Sequence, residues 1–116
     1  MELKVDLSTG GVVLRQRDHF TRFAVRAVPE QQRERGGLGA LAAALSVHDV
    51  GTVDPGGDAH VSAAAVRRMA GTAAAADGVE LDPGWEAGFA TMLAYAGTQG
   101  WIADDGSIRV HVEWGE

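Results

Sequence analysis

The hydrophobic period changes once in the final third of the sequence, and this change constrains the fold more than any other feature. Large apolar residues recur at helical spacing over residues 85–96, after the helix-start pair Asp-Pro at 82–83. Gly100 predicts a left-handed helix end, with Trp101 folding back onto the last turn. Over residues 107–114 the apolar residues alternate instead, which is typical of a half-buried strand. A helix followed by a strand predicts an α+β chain.

The N-terminal residues predict a β-hairpin. Residues 2–7 alternate between apolar and charged, residues 8–11 read as a turn, and residues 12–14 as a returning strand. Residues 18–28 favour a helix capped by Asp18, because their apolar residues recur at helical spacing. A strand stays open as the alternative for this segment, since the same residues also alternate.

The middle of the chain predicts two further helices. Residues 38–45 form a short amphipathic pattern, and residues 47–53 are compatible with a short extended segment. Asp54–Asp58 contains Pro and two Gly and predicts a turn. Ser62 is a suitable N-cap for the alanine-rich residues 63–76.

Composition limits the kinds of site that the chain offers. Its 116 residues contain no cysteine, which excludes disulfides, thiolate metal sites and cysteine nucleophiles. The first residues lack the pattern of a signal peptide, and the longest apolar stretch, residues 38–47, is too short to span a bilayer. We therefore expect one cytoplasmic domain, residues 1–116, with no membrane contact and no cofactor.

The order of elements from residue 38 onward resembles the winged helix-turn-helix superfamily. The resemblance covers residues 38–114, and the segments that carry it are VSAAAVRRMAG at 61–71 and FATMLAYAGTQGWIADDGSIRVHVEW at 89–114. It implies an α+β fold in which an N-terminal β-hairpin precedes a winged-helix-like arrangement of three to four helices and a C-terminal β-hairpin.

The sequence departs from this superfamily where DNA would be read. A recognition helix inserts basic or amide side chains into the major groove, but residues 85–99 contain no Lys, Arg or Asn, and the predicted wing turn carries Asp104 and Asp105. The resemblance then implies a role in dimerisation or in recognition of a protein or peptide.

Charge also argues against nucleic acid as a partner. The formal net charge is −6, and residues 36–116 hold three basic and eleven acidic side chains, which would repel phosphates. Residues 1–35 hold seven basic and five acidic side chains. A DNA-binding regulator is one functional hypothesis, ranked below the two given at the end of this section, and it would need these N-terminal arginines to form one face.

Histidines and aspartates cluster near the predicted turn. His48, Asp58 and His60 lie within thirteen positions, together with Asp49 and Asp54, and these side chains are metal ligands in many proteins. Their spacing matches no established metal motif, so we predict a solvated hairpin turn. A metal site, or an acid/base role for His60, is the alternative.

A second polar group and several aromatic residues are candidates for binding or catalysis. Arg109, His111 and Glu113 share one side of the predicted last strand, about 7 Å apart along it, where Glu113 could tune the imidazole. Trp85 and Tyr95 are candidate walls of an apolar pocket, although core packing is the commoner fate of such residues. A further candidate contact face is formed by Phe20 and Phe23.

These observations support a ranked set of functions. The leading hypothesis is a non-catalytic protein-interaction or accessory regulatory module, with a homodimer formed through open strand edges. The alternative is a small isomerase-like or cyclase-like enzyme, or a ligand-binding protein, that holds an apolar metabolite beside a histidine–carboxylate pair.

Overall fold

The N-terminal alternation forms the predicted hairpin. In the computed structural model, which describes all of residues 1–116, strand β1 (Glu2–Asp6) pairs antiparallel with strand β2 (Gly11–Arg15). Leu3 and Val5 are fully buried on one face of β1, while Lys4 lies between them on the other face. This arrangement confirms the strand prediction and its direction of burial.

The helix predicted over residues 18–28 is wrong. Residues 24–28 form strand β3 (Ala24–Val28), which lies between β1 and the last strand and is parallel to both. Val25 and Ala27 are fully buried on the core side of β3, while Arg26 between them belongs to the opposite side. Ala24, Val25 and Ala27 are all buried, which explains why the local pattern also fitted a helix.

Three α-helices form where helical spacing predicted them. They are α1 (Leu38–Val47), α2 (Ala63–Ala76) and α3 (Trp85–Thr98). A 3₁₀ turn at Glu30–Gln32 and a kinked segment at Arg33–Gly37, in which Arg35 and Gly36 have non-helical dihedral angles, lead into α1. The predicted cap of α2 is confirmed, because the Ser62 hydroxyl accepts a hydrogen bond from the Ala65 N–H at 3.2 Å.

A small antiparallel sheet is formed by two strands that lie between α1 and α2 in the chain and by one strand that follows α3. Strands β4 (Gly51–Val53) and β5 (Ala59–Val61) flank the predicted turn, and strand β6 (Ile108–Val110) pairs with β5 on its other side. Gly51 is required here, because a Cβ at this position would lie 2.0 Å from the His60 carbonyl oxygen across the hairpin.

The predicted winged-helix-like arrangement and C-terminal hairpin are wrong. The predicted strand over residues 107–114 divides at His111 into β6 and strand β7 (Val112–Trp114), which belong to different sheets. Strand β7 is parallel to β3 and completes the large sheet, whose order is β2-β1-β3-β7. The first arm of the predicted hairpin, residues 101–102, forms no strand and makes only one isolated bridge, between Ile102 and Ile108.

The division at His111 leaves the inward pattern of side chains unchanged. Ile108, Val110 and Val112 are all buried, while the His111 carbonyl oxygen accepts a hydrogen bond from the Val25 N–H at 3.0 Å. Alternation reports which side chains face inward, but it does not report which strand provides the backbone partner.

Both sheets and all three helices contribute to one hydrophobic cluster of 19 buried residues. The large sheet supplies Leu3 and Val25, the small sheet Val61, and the helices Leu45 and Phe89, each fully buried. The other side of the large sheet carries charged side chains, among them Lys4 and Arg26, which are opposite one another on β1 and β3. No helix is long and apolar enough to cross a membrane.

Candidate functional site

An apolar groove of about 660 Å³ opens between α3, β6 and the loop that precedes β3. We call it the aromatic groove. Its thirteen lining residues are Phe20, Thr21, Arg22, Phe23, Thr91, Met92, Leu93, Tyr95, Ala96, Trp101, Ile108, Arg109 and Val110. Nine of them are hydrophobic, two are arginines, and none is acidic or histidine. The chain as a whole has 16 acidic and only 10 basic side chains, so this surface differs from it in the sign of its charge.

The end of α3 builds one wall of the groove. Gly100 adopts a φ of +74°, and the Trp101 N–H donates a hydrogen bond to the Ala96 carbonyl oxygen at 3.0 Å, as in a Schellman helix end. The turn brings the Trp101 ring edge-on to Tyr95, with ring centroids 5.9 Å apart. The predicted fold-back of Trp101 is therefore confirmed, and it places two aromatic rings side by side.

The loop before β3 forms the opposite wall. Phe20 packs edge-on against Trp85, with ring centroids 5.9 Å apart. A Cβ on Gly88 would lie 2.3 Å from the Phe20 ring, so the absence of a side chain at position 88 of α3 leaves the space that Phe20 occupies. Phe20 and Phe23 are both partly buried against the core, which fixes this wall to α3.

The aromatic rings at the rim remain accessible. Tyr95 is 58% exposed and Trp101 is 39% exposed. Large apolar side chains that lie side by side at the surface are characteristic of interaction sites. The groove is therefore the best-formed candidate site for recognition.

Four of the five predicted binding residues line this groove, and one does not. Phe20, Phe23, Tyr95 and Arg109 contribute to the lining, whereas Trp85 is only 2% exposed and belongs to the core. Its indole N–H donates a hydrogen bond to the Arg17 carbonyl oxygen at 2.8 Å. Core packing, the favoured interpretation, is what the structure shows for Trp85, and the alternative of a pocket walled by Trp85 together with Tyr95 is wrong.

Sequence reasoning missed Trp101 and Met92 as groove residues. The signal was present, because Trp101 was expected to fold back near Tyr95 and Met92 lies one helical turn before Ala96. The loop at residues 20–23, which forms the opposite wall, was placed in a helix, and this error hid the groove.

The predicted row of Arg109, His111 and Glu113 is divided between the two sheets. Arg109 and His111 approach Asp58 of the β4–β5 turn, with nitrogen–oxygen distances of 3.6 and 3.7 Å. Glu113 instead accepts hydrogen bonds from Arg22 and, at 2.5 Å, from Arg26. The structure therefore pairs His111 with Asp58 and holds Glu113 on the large sheet.

Arginine contacts keep Glu113 ionised. The hydrogen bond from Arg22 lowers the pKa of Glu113 below its usual range, and the charges of Arg22 and Arg26 act in the same direction. A carboxylate with a lowered pKa and two arginine partners is a poor proton acceptor at neutral pH.

The solvent-facing side of the large sheet carries a charge network around Glu2. The network comprises Glu2, Lys4, Arg15, Arg22, Arg26, Glu113 and Glu116. Glu2 is 7% exposed. Burial alone would raise the pKa of Glu2, but hydrogen bonds from Arg15 and Arg26 and their positive charges outweigh this effect and lower it.

The three metal candidates are separated in the structure. The His60 Nε2 atom lies 2.8 Å from Asp54 Oδ2 within the β4–β5 hairpin, and Asp58 lies beside Arg109 and His111. His48 is elsewhere, with its Nε2 2.9 Å from the Gly10 carbonyl oxygen. No group of three or more His, Asp or Glu side chains is arranged to hold a metal ion.

A second groove, of about 560 Å³, lies between β2 and α2 and includes His48 in its lining. Its polar groups are engaged within the chain: Arg17 donates to Asp77 at 2.6 Å, and Arg68 donates to the His48 carbonyl oxygen at 2.9 Å. This groove offers fewer free apolar and polar groups to a ligand than the aromatic groove.

Comparison of the chain with protein-family models, curated proteins and solved structures finds no match. A family relationship of residues 38–114 to the winged helix-turn-helix superfamily therefore stays a prediction that no match tests. The arrangement of elements that the resemblance implied differs from the observed one.

Proposed function

We propose that this protein is a non-catalytic interaction module that binds a segment of another protein in the aromatic groove. The observation that carries the proposal is the pair of exposed rings, Tyr95 and Trp101, at the rim of an apolar groove of about 660 Å³. Exposed aromatic residues in a concave surface supply most of the binding energy in many protein interfaces.

The shape of the groove supports a polypeptide more than a metabolite. Small-molecule sites bury most of the ligand surface, whereas Tyr95 and Trp101 leave this groove open along its rim. Histidine is not among the lining residues. The histidine–carboxylate pairs that the enzymatic hypothesis needs, such as His60 with Asp54, lie outside the groove.

Arginine pairing supports a protein partner over DNA. Arg15, Arg22 and Arg26 contact carboxylates of the charge network, and Arg17 contacts Asp77. Phosphate binding would have to displace these partners, on a chain whose net charge is −6.

Parallel peptide selections test the proposed function. A phage-displayed library of random peptides is selected on the wild-type protein, on the Tyr95→Ala variant and on the Val47→Ala variant. Val47 is 80% exposed and lies outside the groove, so it is the control for loss of an exposed apolar side chain. We expect peptides that bind wild type and Val47→Ala but lose most of their affinity for Tyr95→Ala.

Two results contradict the proposed function. One is enrichment of the same peptides on wild type and on Tyr95→Ala, which places binding elsewhere. The other is the absence of any enriched peptide, together with a small molecule retained by the purified protein in native mass spectrometry. Thermal unfolding of each variant shows that the comparison is made between folded proteins.

We also propose self-association through an open strand edge. Strand β2 is an edge strand of the large sheet, and antiparallel pairing with β2 of a second copy would cover that edge. Native mass spectrometry should show a dimer, and a monomer at every concentration contradicts this part of the proposal. The proposed location is the cytoplasm, where a chain without cysteine has no need of an oxidising compartment.

A further inference from the structure

Both charged residues of the aromatic groove are arginines. Arg22 and Arg109 line it, no acidic residue does, and each arginine side chain is 53% exposed. The chain as a whole has six more acidic than basic side chains, so the charge of the groove is opposite to that of the protein around it.

The two arginines are held at the groove from outside it. Arg22 donates to Glu113 of the large sheet, and Arg109 lies 3.6 Å from Asp58 of the β4–β5 turn. The Arg109 guanidinium makes this ion pair but no hydrogen bond within the chain. Its N–H groups are consequently available to a carboxylate that enters the groove.

From this arrangement we infer that the aromatic groove selects an apolar segment of another protein that carries an isolated carboxylate, bound by Arg109 and assisted by Arg22. This inference rests on the proposed function and names the chemistry of its partner. Bulky apolar side chains of the segment pack against Tyr95 and Trp101, while the carboxylate accepts hydrogen bonds from the guanidinium.

Other occupants fit the charges less well. A second copy docked symmetrically in the same groove would place Arg22 and Arg109 against the same arginines, and like charges disfavour such an interface. An extended polyanion would meet the negative remainder of the protein. A segment with one or two carboxylates among apolar residues meets positive charge locally and avoids that repulsion.

Three fluorescein-labelled synthetic peptides test the inference by fluorescence anisotropy. They share one apolar sequence of leucine and phenylalanine, and a single central residue is glutamate, glutamine or lysine. We expect the glutamate peptide to bind wild type about ten-fold more tightly than the glutamine peptide, because hydrogen bonds to charged groups stabilise more than those to neutral groups. The lysine peptide should bind most weakly.

Charge variants assign the effect to the groove. Arg109→Gln should remove most of the glutamate preference, while Arg35→Gln, an exposed arginine outside the groove, changes the net charge equally and should leave the preference intact. Arg109→Glu should reverse the preference towards the lysine peptide, a result that mere loss of folding cannot produce.

The possible failures of the two proposals are distinguishable. Equal binding of the glutamate and glutamine peptides, lost in Tyr95→Ala, overturns the charge selectivity but leaves the interaction groove in place. A glutamate preference that is unchanged in Arg109→Gln also overturns the inference. Failure of all three peptides to bind overturns it too, and the phage selection then decides separately whether the groove binds any peptide. A concentration-dependent dimer that is lost in Tyr95→Ala identifies a second copy as the occupant.

Discussion

The large sheet and the aromatic groove present two opposite kinds of surface. On the sheet, four basic and three acidic side chains of the charge network pair with one another, and Arg22 alone among them also lines the groove. In the groove, two aromatic rings stay exposed, and the Arg109 guanidinium makes one ion pair but no hydrogen bond within the chain. A high density of polar residues therefore does not identify a binding surface, because groups that satisfy one another within the chain have little left for a partner.

The sharpest test of this comparison uses two aromatic residues of α3. Phe89 is fully buried and Tyr95 is 58% exposed. Phe89→Ala should lower the free energy of unfolding by about 3–5 kcal/mol, since it removes a buried ring and leaves a cavity. Tyr95→Ala should change it by about 0.5 kcal/mol or less while abolishing peptide binding. Urea unfolding measures both variants, and a large loss of stability in Tyr95→Ala would show that the groove is part of the core.

The charge network gives the next largest expected effect. Glu2→Gln removes a nearly buried carboxylate from Arg15 and Arg26 and should lower the free energy of unfolding by about 2 kcal/mol. Glu34→Gln, at an exposed position, removes the same charge and should have an effect of about 0.5 kcal/mol or less. Similar effects of both substitutions in urea unfolding would contradict a structural role of the network.

Two glycine substitutions of opposite expected sign test the contact between the groove wall and α3. Gly71→Ala in α2 meets open space and should stabilise by about 0.5–1 kcal/mol, since alanine favours a helix. Gly88→Ala should destabilise by about 1 kcal/mol, because its Cβ would displace Phe20 and overpacking outweighs the helical preference. Stabilisation by both substitutions, measured by thermal unfolding, would show that Phe20 is not fixed against α3.

Acid should weaken the charge network. The folded state lowers the pKa of Glu2 and of Glu113 below the reference value of 4.5. Their contribution to stability is therefore complete above pH 4.5 and is lost as the pH falls below 4.5 through the folded pKa values.

Thermal unfolding between neutral pH and pH 3 measures this loss. Glu113→Gln should give a shallower decline in melting temperature below pH 4.5 than the wild type shows. Glu80→Gln, which removes an equal charge at a position with no ion pair, is the control. An identical decline in Glu113→Gln and wild type would mean that Arg22 and Arg26 do not stabilise the ionised Glu113 in solution.

The predictions that held were those that depend on neighbouring residues in the chain. Helix α2 begins at the Ser62 cap and α3 ends before Gly100, with Trp101 folded back, because caps and turns are formed by side chains and dihedral preferences within a few residues. The N-terminal hairpin held for the same reason. The four predicted binding residues that line the groove were identified as aromatic or charged candidates, but not as one site.

The prediction failed where distant strands had to pair. Residues 24–28 satisfy both periods, and only their position between β1 and β7 makes them a strand. At His111 the alternation continues while the hydrogen-bonding partner changes from β5 to β3. Neither event leaves a local signal, because a parallel partner lies far away in the sequence.

The amino-acid sequence alone was sufficient for the α+β class, the presence of three helices, the start of α2, the end of α3, the N-terminal hairpin and most inward-facing strand residues, because local dihedral preferences and periodic burial set these features. Long-range packing places Glu113 in the charge network, Trp85 in the core, and Phe20, Tyr95 and Trp101 in one groove. These outcomes depend on which distant segments meet, and side chains become a site only when the fold brings them together.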